Sequence, residues 1–319
     1  MVTTSRDVAR TAGVSRSTVS EILNGRGHKF AAATREKVEQ VARDMGYRPS
    51  AAARSLVRGT SDLVLALIPD TTFGANLQNI FERATEELAQ HGLTLVLRLA
   101  TSSPQSFDRL ISSLNPRGVL SFLPFTAEER HIMLARGVEV FDTSTPGERR
   151  KVDYEIGRLQ ASYLIGKGHS RLAYAHLSDA RQDPFGDERE AGVRDECREH
   201  KLPEPATLRL GIDRGDALAA LDSVGPEPIA IACYNDDVAA TLVAAAQIRG
   251  RRIPLDVAVV GVDHTPLSQV MVPRLSTVGY LVSEAGHAMV AGIIAAVTGN
   301  PDGAVNRPFP LQMIDGDSA

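Results

Sequence analysis

The chain is 319 residues long, 43% hydrophobic and formally −4 at neutral pH. That length holds two or three domains with their own cores, and no uninterrupted apolar run reaches the roughly 18 residues of a membrane span. The charge is divided unevenly: residues 1–60 carry 11 Lys and Arg against 5 acids, net +6, which leaves −10 on residues 61–319.

Thr4-Ser5-Arg6-Asp7 opens the first predicted helix, with Thr4 as N-cap and Asp7 three residues on, the spacing of a capping box. Val8, Ala9 and Ala12 then share one helical face. Gly13 supplies a sharp turn at little steric cost. Ser15 caps a second helix that points Val19, Ile22 and Leu23 inward and Arg16, Ser17, Ser20 and Glu21 outward. This is either an ordinary αα-hairpin or a helix-turn-helix, whose second helix enters the DNA major groove. The basic head on an acidic body adds weight to the second reading, because a polyanion-binding module has that balance. A third helix is predicted over Thr34–Met45, ended by Gly46-Tyr47-Arg48-Pro49. Ser50 to Leu56 is Ala-rich and helix-permissive but too short to hold a helix alone.

After the linker Gly59-Thr60-Ser61 the texture changes. Leu63–Ile68 is a continuous apolar run, as in a parallel strand covered on both faces. Further strands are expected at Leu93–Leu97, Gly118–Leu123, Val138–Phe141, Leu172–Ala175, Ile229–Ala232 and Val257–Val262. Helices are expected at Phe81–His91, Arg158–Lys167, Arg189–Lys201 and Val238–Arg249. The alternation argues an α/β core, and about ten units argue two sheets. Cys197 and Cys233 are far apart and lack a CxxC partner, and the histidines lack H-x-x-x-H or H-x-H spacing, so neither disulfide nor metal site is expected. The start of the chain shows no charged-then-apolar leader, and cytoplasmic residence is expected.

Several segments then resemble the LacI/GalR family of bacterial transcription regulators. Asp7-Val8-Ala9-Arg10, Ala12-Gly13-Val14-Ser15, Ser17-Thr18-Val19-Ser20 and Leu23-Asn24-Gly25 carry the likeness in the head. Gly168-His169-Ser170-Arg171, Asn235-Asp236, Ile253-Pro254-Leu255-Asp256 and Pro273-Arg274-Leu275-Ser276 extend it through the core. The resemblance implies a helix-turn-helix head (1–46), a hinge helix and linker (47–60), and a core (61–319) of two Rossmann-like, parallel-sheet subdomains of the periplasmic-binding-protein type. The N-subdomain would take about 61–152 with 283–306, and the C-subdomain about 153–282 with 307–319. It further implies operator binding through Thr4, Ser15, Arg16, Ser17, Thr18, Ser20, Glu21, Asn24, Tyr47, Ser50, Ala53, Arg54 and Leu56, the last as an apolar wedge in the minor groove. A homodimer or higher assembly and a small sugar-like effector are the other implied partners.

Open α/β sheets bind ligands beyond the carboxyl ends of their strands. Asp70, Asn235, Asp263 and His264 stand at such ends, with Phe73 close after Asp70. The resemblance adds Arg189 and Glu155 to the same cleft. Asp236 as a plain helix cap, Asp70 as a turn residue and Arg189 as a surface ion pair are the structural alternatives. The chain also departs from the family pattern. Glu21 stands where the family commonly has Arg, and it either accepts from cytosine N4 or is silent. Ala31 replaces a Ser cap, Tyr154 an Asn and His264 an Asp. Phe73, Tyr154, Phe185 and Tyr234 are candidate stacking surfaces, or else core or dimer residues. No G-x-S-x-G, GxxxxGK[ST], HExxH or GxGxxG is present, so no enzyme activity and no cofactor are expected. The expected function is a ligand-controlled repressor; the alternative is a solute-binding module of the same core fold.

Overall fold

The computed structural model describes residues 3–47, 60–68, 75–99, 103–121, 125–142, 146–179, 183–280, 291, 294–295 and 311–319. Two compact units divide the chain: residues 1–63 with 110–117, and residues 64–109 with 118–319.

The first unit contains a three-helix head. Helix α1 (Ser5–Ala12) starts at Thr4, whose backbone N–H and hydroxyl both donate to the Asp7 carboxylate, at 3.0 and 2.7 Å. Those bonds, the Thr4 hydroxyl first, hold the Asp7 carboxyl below its usual range. Gly13 ends α1 in the left-handed region, at φ +69°. Ser15 caps α2 (Arg16–Glu21), its Oγ accepting from the Thr18 N–H at 3.0 Å. A π-turn (Ile22–Arg26) and a 3₁₀ turn (Gly27–Lys29) lead to α3 (Ala32–Asp44), which begins two residues before the expected Thr34. Ala31 gives α3 no side-chain cap, as its methyl requires. Val8, Ala9, Ala12, Val19, Ile22, Val38 and Ala42 form the core of the head, the apolar faces read from helical spacing.

The second unit holds two sheets. The first has strand order β2-β1-β3-β4, with β1 (Leu63–Ile68), β2 (Thr94–Leu99), β3 (Gly118–Ser121) and β4 (Glu139–Asp142). Strand β1 pairs parallel with β3 in the register Val64↔Gly118. Helices α4 (Ala75–Gln90), α5 (Pro104–Leu114) and α6 (Ala127–Ala135) alternate with these strands in the sequence.

The second sheet has order β10-β9-β8-β7-β5-β6 and comprises β5 (Leu172–Leu177), β6 (Ala206–Leu210), β7 (Ile229–Cys233), β8 (Val257–Val262), β9 (Ser276–Tyr280) and β10 (Leu311–Ile314). All its pairings are parallel except β9 with β10. Strands β5, β7 and β8 are buried along their whole lengths, which is why they read as unbroken apolar runs. Helices α7 (Pro146–Gly166), α8 (Gly186–Glu199), α9 (Arg214–Ser223), α10 (Asp236–Ile248) and α11 (Pro266–Val270) belong with this sheet. Helix α7 starts twelve residues before the expected Arg158. Because β6 lies on one side of β5 and β7 on the other, the chain reverses direction between β5 and β7, the crevice where open α/β sheets take ligands. Cys197 and Cys233 are free and buried, and burial pushes both thiols up, Cys197 to about 11. No helix among the described residues is long and apolar enough to cross a membrane.

Candidate functional site

The head gives its predicted contact residues different tasks. Arg16 and Ser17 are exposed on the outer face of α2. Arg16 Nε donates to Ser5 Oγ at 3.3 Å, which directs the guanidinium across the start of α1. Thr4 and Ser15 spend their side chains on capping, with Thr18 Oγ1 2.9 Å from Ser15 Oγ. Ser20 and Asn24 stabilise the π-turn, Asn24 Nδ2 donating to Ser20 O at 2.7 Å and to Ser20 Oγ at 3.2 Å. Glu21 is half-buried and paired with Lys29, Nζ to Oε2 2.7 Å. Tyr47 packs partly against the core of the head. Ser50, Ala53, Arg54 and Leu56 lie outside the described residues, as do Asp70 and Phe73.

At the carboxyl ends of β5, β7 and β8 the structure gathers a second group. Arg189, in the first turns of α8, is buried with 5% of its surface exposed. Its Nε donates to Asp153 Oδ1 at 2.9 Å and its Nη1 to the Tyr234 carbonyl at 2.6 Å. The Phe185 and Tyr234 rings stack 6.2 Å apart at 12°, and the guanidinium carbon lies 5.3 Å from each centroid. A cation over two aromatic faces is favoured by their quadrupoles. Arg189 is therefore no surface ion pair. Its fork is largely committed inside the protein, which aligns it rigidly. The resemblance implies Glu155 in this cleft; Glu155 is exposed, and Asp153, two residues earlier on α7, is the buried partner. Two residues are about 200° around a helix, so only one of the two can face Arg189. The Tyr154 hydroxyl donates to Asp195 Oδ2 on α8 at 3.0 Å.

Asn235, not Asp236, caps α10, with Oδ1 accepting from the Val238 N–H at 3.0 Å. The buried Asp236 carboxylate instead accepts from the Thr265 N–H, the Thr265 hydroxyl and the Thr277 hydroxyl, at 2.7, 3.0 and 2.6 Å. It ties the loop after β8 to β9. Burial pushes the Asp236 carboxyl up, against those bonds.

Asp263 and His264 follow β8 with positive φ, +104° and +49°. Such backbone in non-glycine residues costs about 1–3 kcal/mol each and gathers at functional sites. His264 is exposed; Asp263 keeps part of its surface. Burial pushes the Asp263 carboxyl up to about 7, Arg189 opposes that, and Asp236, Asp237 and Asp153 reinforce it. A carboxyl raised in the fold above its unfolded value weakens the folded state as pH rises from about 4 to 7. Asp263→Asn removes that penalty. Thermal melting should show the variant gaining on wild type across this interval, by on the order of 2–4 kcal/mol at pH 8, with little difference near pH 4. A pH-independent gap would contradict the raised carboxyl.

A polar cluster not visible in the sequence steadies the start of α8. Buried His176 on β5 sets Nδ1 2.7 Å from Asp183 Oδ2 and Nε2 3.3 Å from Glu190 Oε2. Asp183 Oδ1 accepts from the Gly186 N–H at 2.7 Å, and Thr207 donates to Glu190. Phe185 and Arg189 thus stand on a turn fixed from both sides. Among the described residues no group of His, Cys, Asp and Glu is arranged to hold a metal ion.

Residues 4–50 match the lacI family of bacterial regulatory proteins, and residues 161–319 match a periplasmic binding protein-like domain. The chain is 30% identical to the HTH-type transcriptional repressor PurR of Vibrio parahaemolyticus over 86% of both chains. It is 28% identical to the ribose operon repressor of Halalkalibacterium halodurans, over 98% of this chain and 96% of that one. Its fold is similar to that of a lac repressor dimer bound to operator and the anti-inducer ONPF, with a TM-score of 0.76 at 21% identity over 100% and 99% of the two chains. The likeness thus runs along nearly the whole chain, head and core alike, and this protein belongs to the lacI family of bacterial regulatory proteins.

Proposed function

We propose that this chain is a repressor that binds a two-half-site operator as a dimer and is controlled by a small polar ligand. The observation that carries the reading is the outer face of α2, where Arg16 and Ser17 are exposed in a stretch, residues 1–60, of net charge +6. A solute-binding module of the same core would have no use for that head. The proposed division keeps the head at 1–46, the hinge helix and linker at 47–60, and the two-subdomain core at 61–319. Exposed Leu267, Val270 and Val272 form an apolar stretch on and after α11, which supports a self-association surface in the core. One recognition helix per chain then gives a palindromic site by two-fold symmetry.

The ligand would meet Arg189, Asn235 and Asp263 at the switch point between β5 and β7, with His264 at the rim. The aromatic pair and the neighbouring carboxyls suit a hydroxyl-rich molecule such as a sugar, which offers donors to carboxylates and apolar C–H faces to rings. The reading is of a regulator, not a catalyst.

Selection of bound duplexes from a random library by the full chain tests the DNA half of this reading. A single palindromic motif is the expected result. Its affinity should fall on the order of 10³-fold between 50 and 200 mM salt, as counterion release from several phosphate contacts requires. Equal binding to selected and random duplexes would reject it.

A further inference from the structure

The turn after the recognition helix does something that helical periodicity does not foretell. Helix α2 ends at Glu21, and the chain continues as a π-turn (Ile22–Arg26) before a 3₁₀ turn (Gly27–Lys29). Single π-turns often mark functional positions. Gly27 is buried at the bend, where a Cβ would stand 3.0 Å from Arg35 Cδ and 3.5 Å from Ile22 Cα. The close turn brings Lys29 back over the end of α2, eight residues later. Lys29 Nζ reaches Glu21 Oε2 at 2.7 Å and lies 5.6 Å from the Phe30 ring, which packs against the core of the head. Both side chains keep solvent contact, 53% for Lys29 and 34% for Glu21.

Glu21 shares the outer face of α2 with Arg16, Ser17 and Ser20. A lone carboxylate there would be repelled by phosphates. Lys29 cancels its charge without covering it, and Glu21 Oε1 has no partner among the described residues. The pairing also removes the freedom that an exposed glutamate normally has, so the acceptor is directed before DNA arrives. A fixed carboxylate on a major-groove helix can accept from an exocyclic amino group, cytosine N4 above all.

The geometry points to Lys29 as a positioning residue for base recognition: it neutralises and aims Glu21, which accepts from a base amino group at one operator position. This rests on the reading that α2 enters the major groove. Sequence specificity in the head then depends on a residue outside the recognition helix.

The test is random-duplex selection with the full chain, run on wild type, Glu21→Gln, Lys29→Met and Lys29→Arg at one salt concentration. Glu21→Gln and Lys29→Met should both lose preference at the same operator position, each by about tenfold, while other positions keep theirs. Lys29→Arg should retain most of the preference, because it preserves the charge beside Glu21. The proposal is overturned if Lys29→Met keeps the wild-type motif and only weakens all sequences alike with a shallower salt dependence, the behaviour of a phosphate contact. It is equally overturned if Glu21→Gln selects the wild-type motif. A wild-type protein that selects no motif would remove the DNA-binding reading itself, an outcome distinct from either.

Discussion

Replacing Arg189 with alanine is expected to abolish the response to ligand and to destabilise the core by about 3–5 kcal/mol. The size follows from burial on both sides of the pair, since Arg189 is 5% and Asp153 7% exposed. Truncation strips Asp153 of its guanidinium, the Tyr234 carbonyl of a 2.6 Å donor and the two stacked rings of their cation. Destabilisation alone would not separate a structural from a ligand-contacting role. The double variant Arg189→Met with Asp153→Leu does, because well-packed apolar pairs often replace buried ion pairs at little cost. It should recover most of the stability in chemical denaturation and none of the ligand response in operator titration. The ligand for that titration comes from a thermal-shift screen of neutral sugars and their derivatives on wild type. Arg189→Lys should fall between, since an ammonium restores charge but not the fork. A double variant that still released or gained operator with ligand would remove Arg189 from the site.

What the sequence disclosed about this chain depended on how local each cause was. Thr4 with Asp7, Gly13 and Ser15 act within a turn, and the structure uses each as its residue type suggested. Strands β5, β7 and β8 are covered on both faces, so burial wrote itself as apolar runs. The missed strands lack that signature. Strand β6 is an edge strand with exposed Ala206, Thr207 and Arg209; β9 is rich in polar and small residues; β10 is an antiparallel edge. The π-turn was hidden because no periodicity marks one extra residue in Asn24-Gly25-Arg26-Gly27. Asp153 was hidden because choosing it over Glu155 requires the phase of α7, and the charged start of that helix carries no apolar stripe. His176 in an apolar strand gave no hint that two carboxyls, at Asp183 and Glu190, would meet its ring.

The same phase governs a contact that the sequence could not price. Helices α7 and α8 touch through Gly157 and Gly192. A Cβ on Gly157 would stand 1.9 Å from the Arg189 carbonyl oxygen, and one on Gly192 would stand 2.1 Å from that of Tyr154. Both obstacles are backbone, which no rotamer change relieves. Gly157→Ala must push the two helices apart by roughly 1.5 Å to reach van der Waals distance. Overpacking of this kind costs about 1–3 kcal/mol, and the upper end is expected where backbone meets backbone. The displaced atom belongs to Arg189, so the bond to Asp153 and the position between Phe185 and Tyr234 should fail together. A misplacement near 1 Å is enough to disable a preorganised site. Gly166→Ala provides the comparison, because it ends the same helix with nothing within 4 Å of its Cβ. It should leave melting unchanged or raise it by up to ~1 kcal/mol through helix propensity, with the ligand response intact. Thermal melting and operator titration of the two variants side by side decide the matter. If Gly157→Ala melts and responds like Gly166→Ala, the close crossing of α7 and α8 is not what holds Arg189 in place.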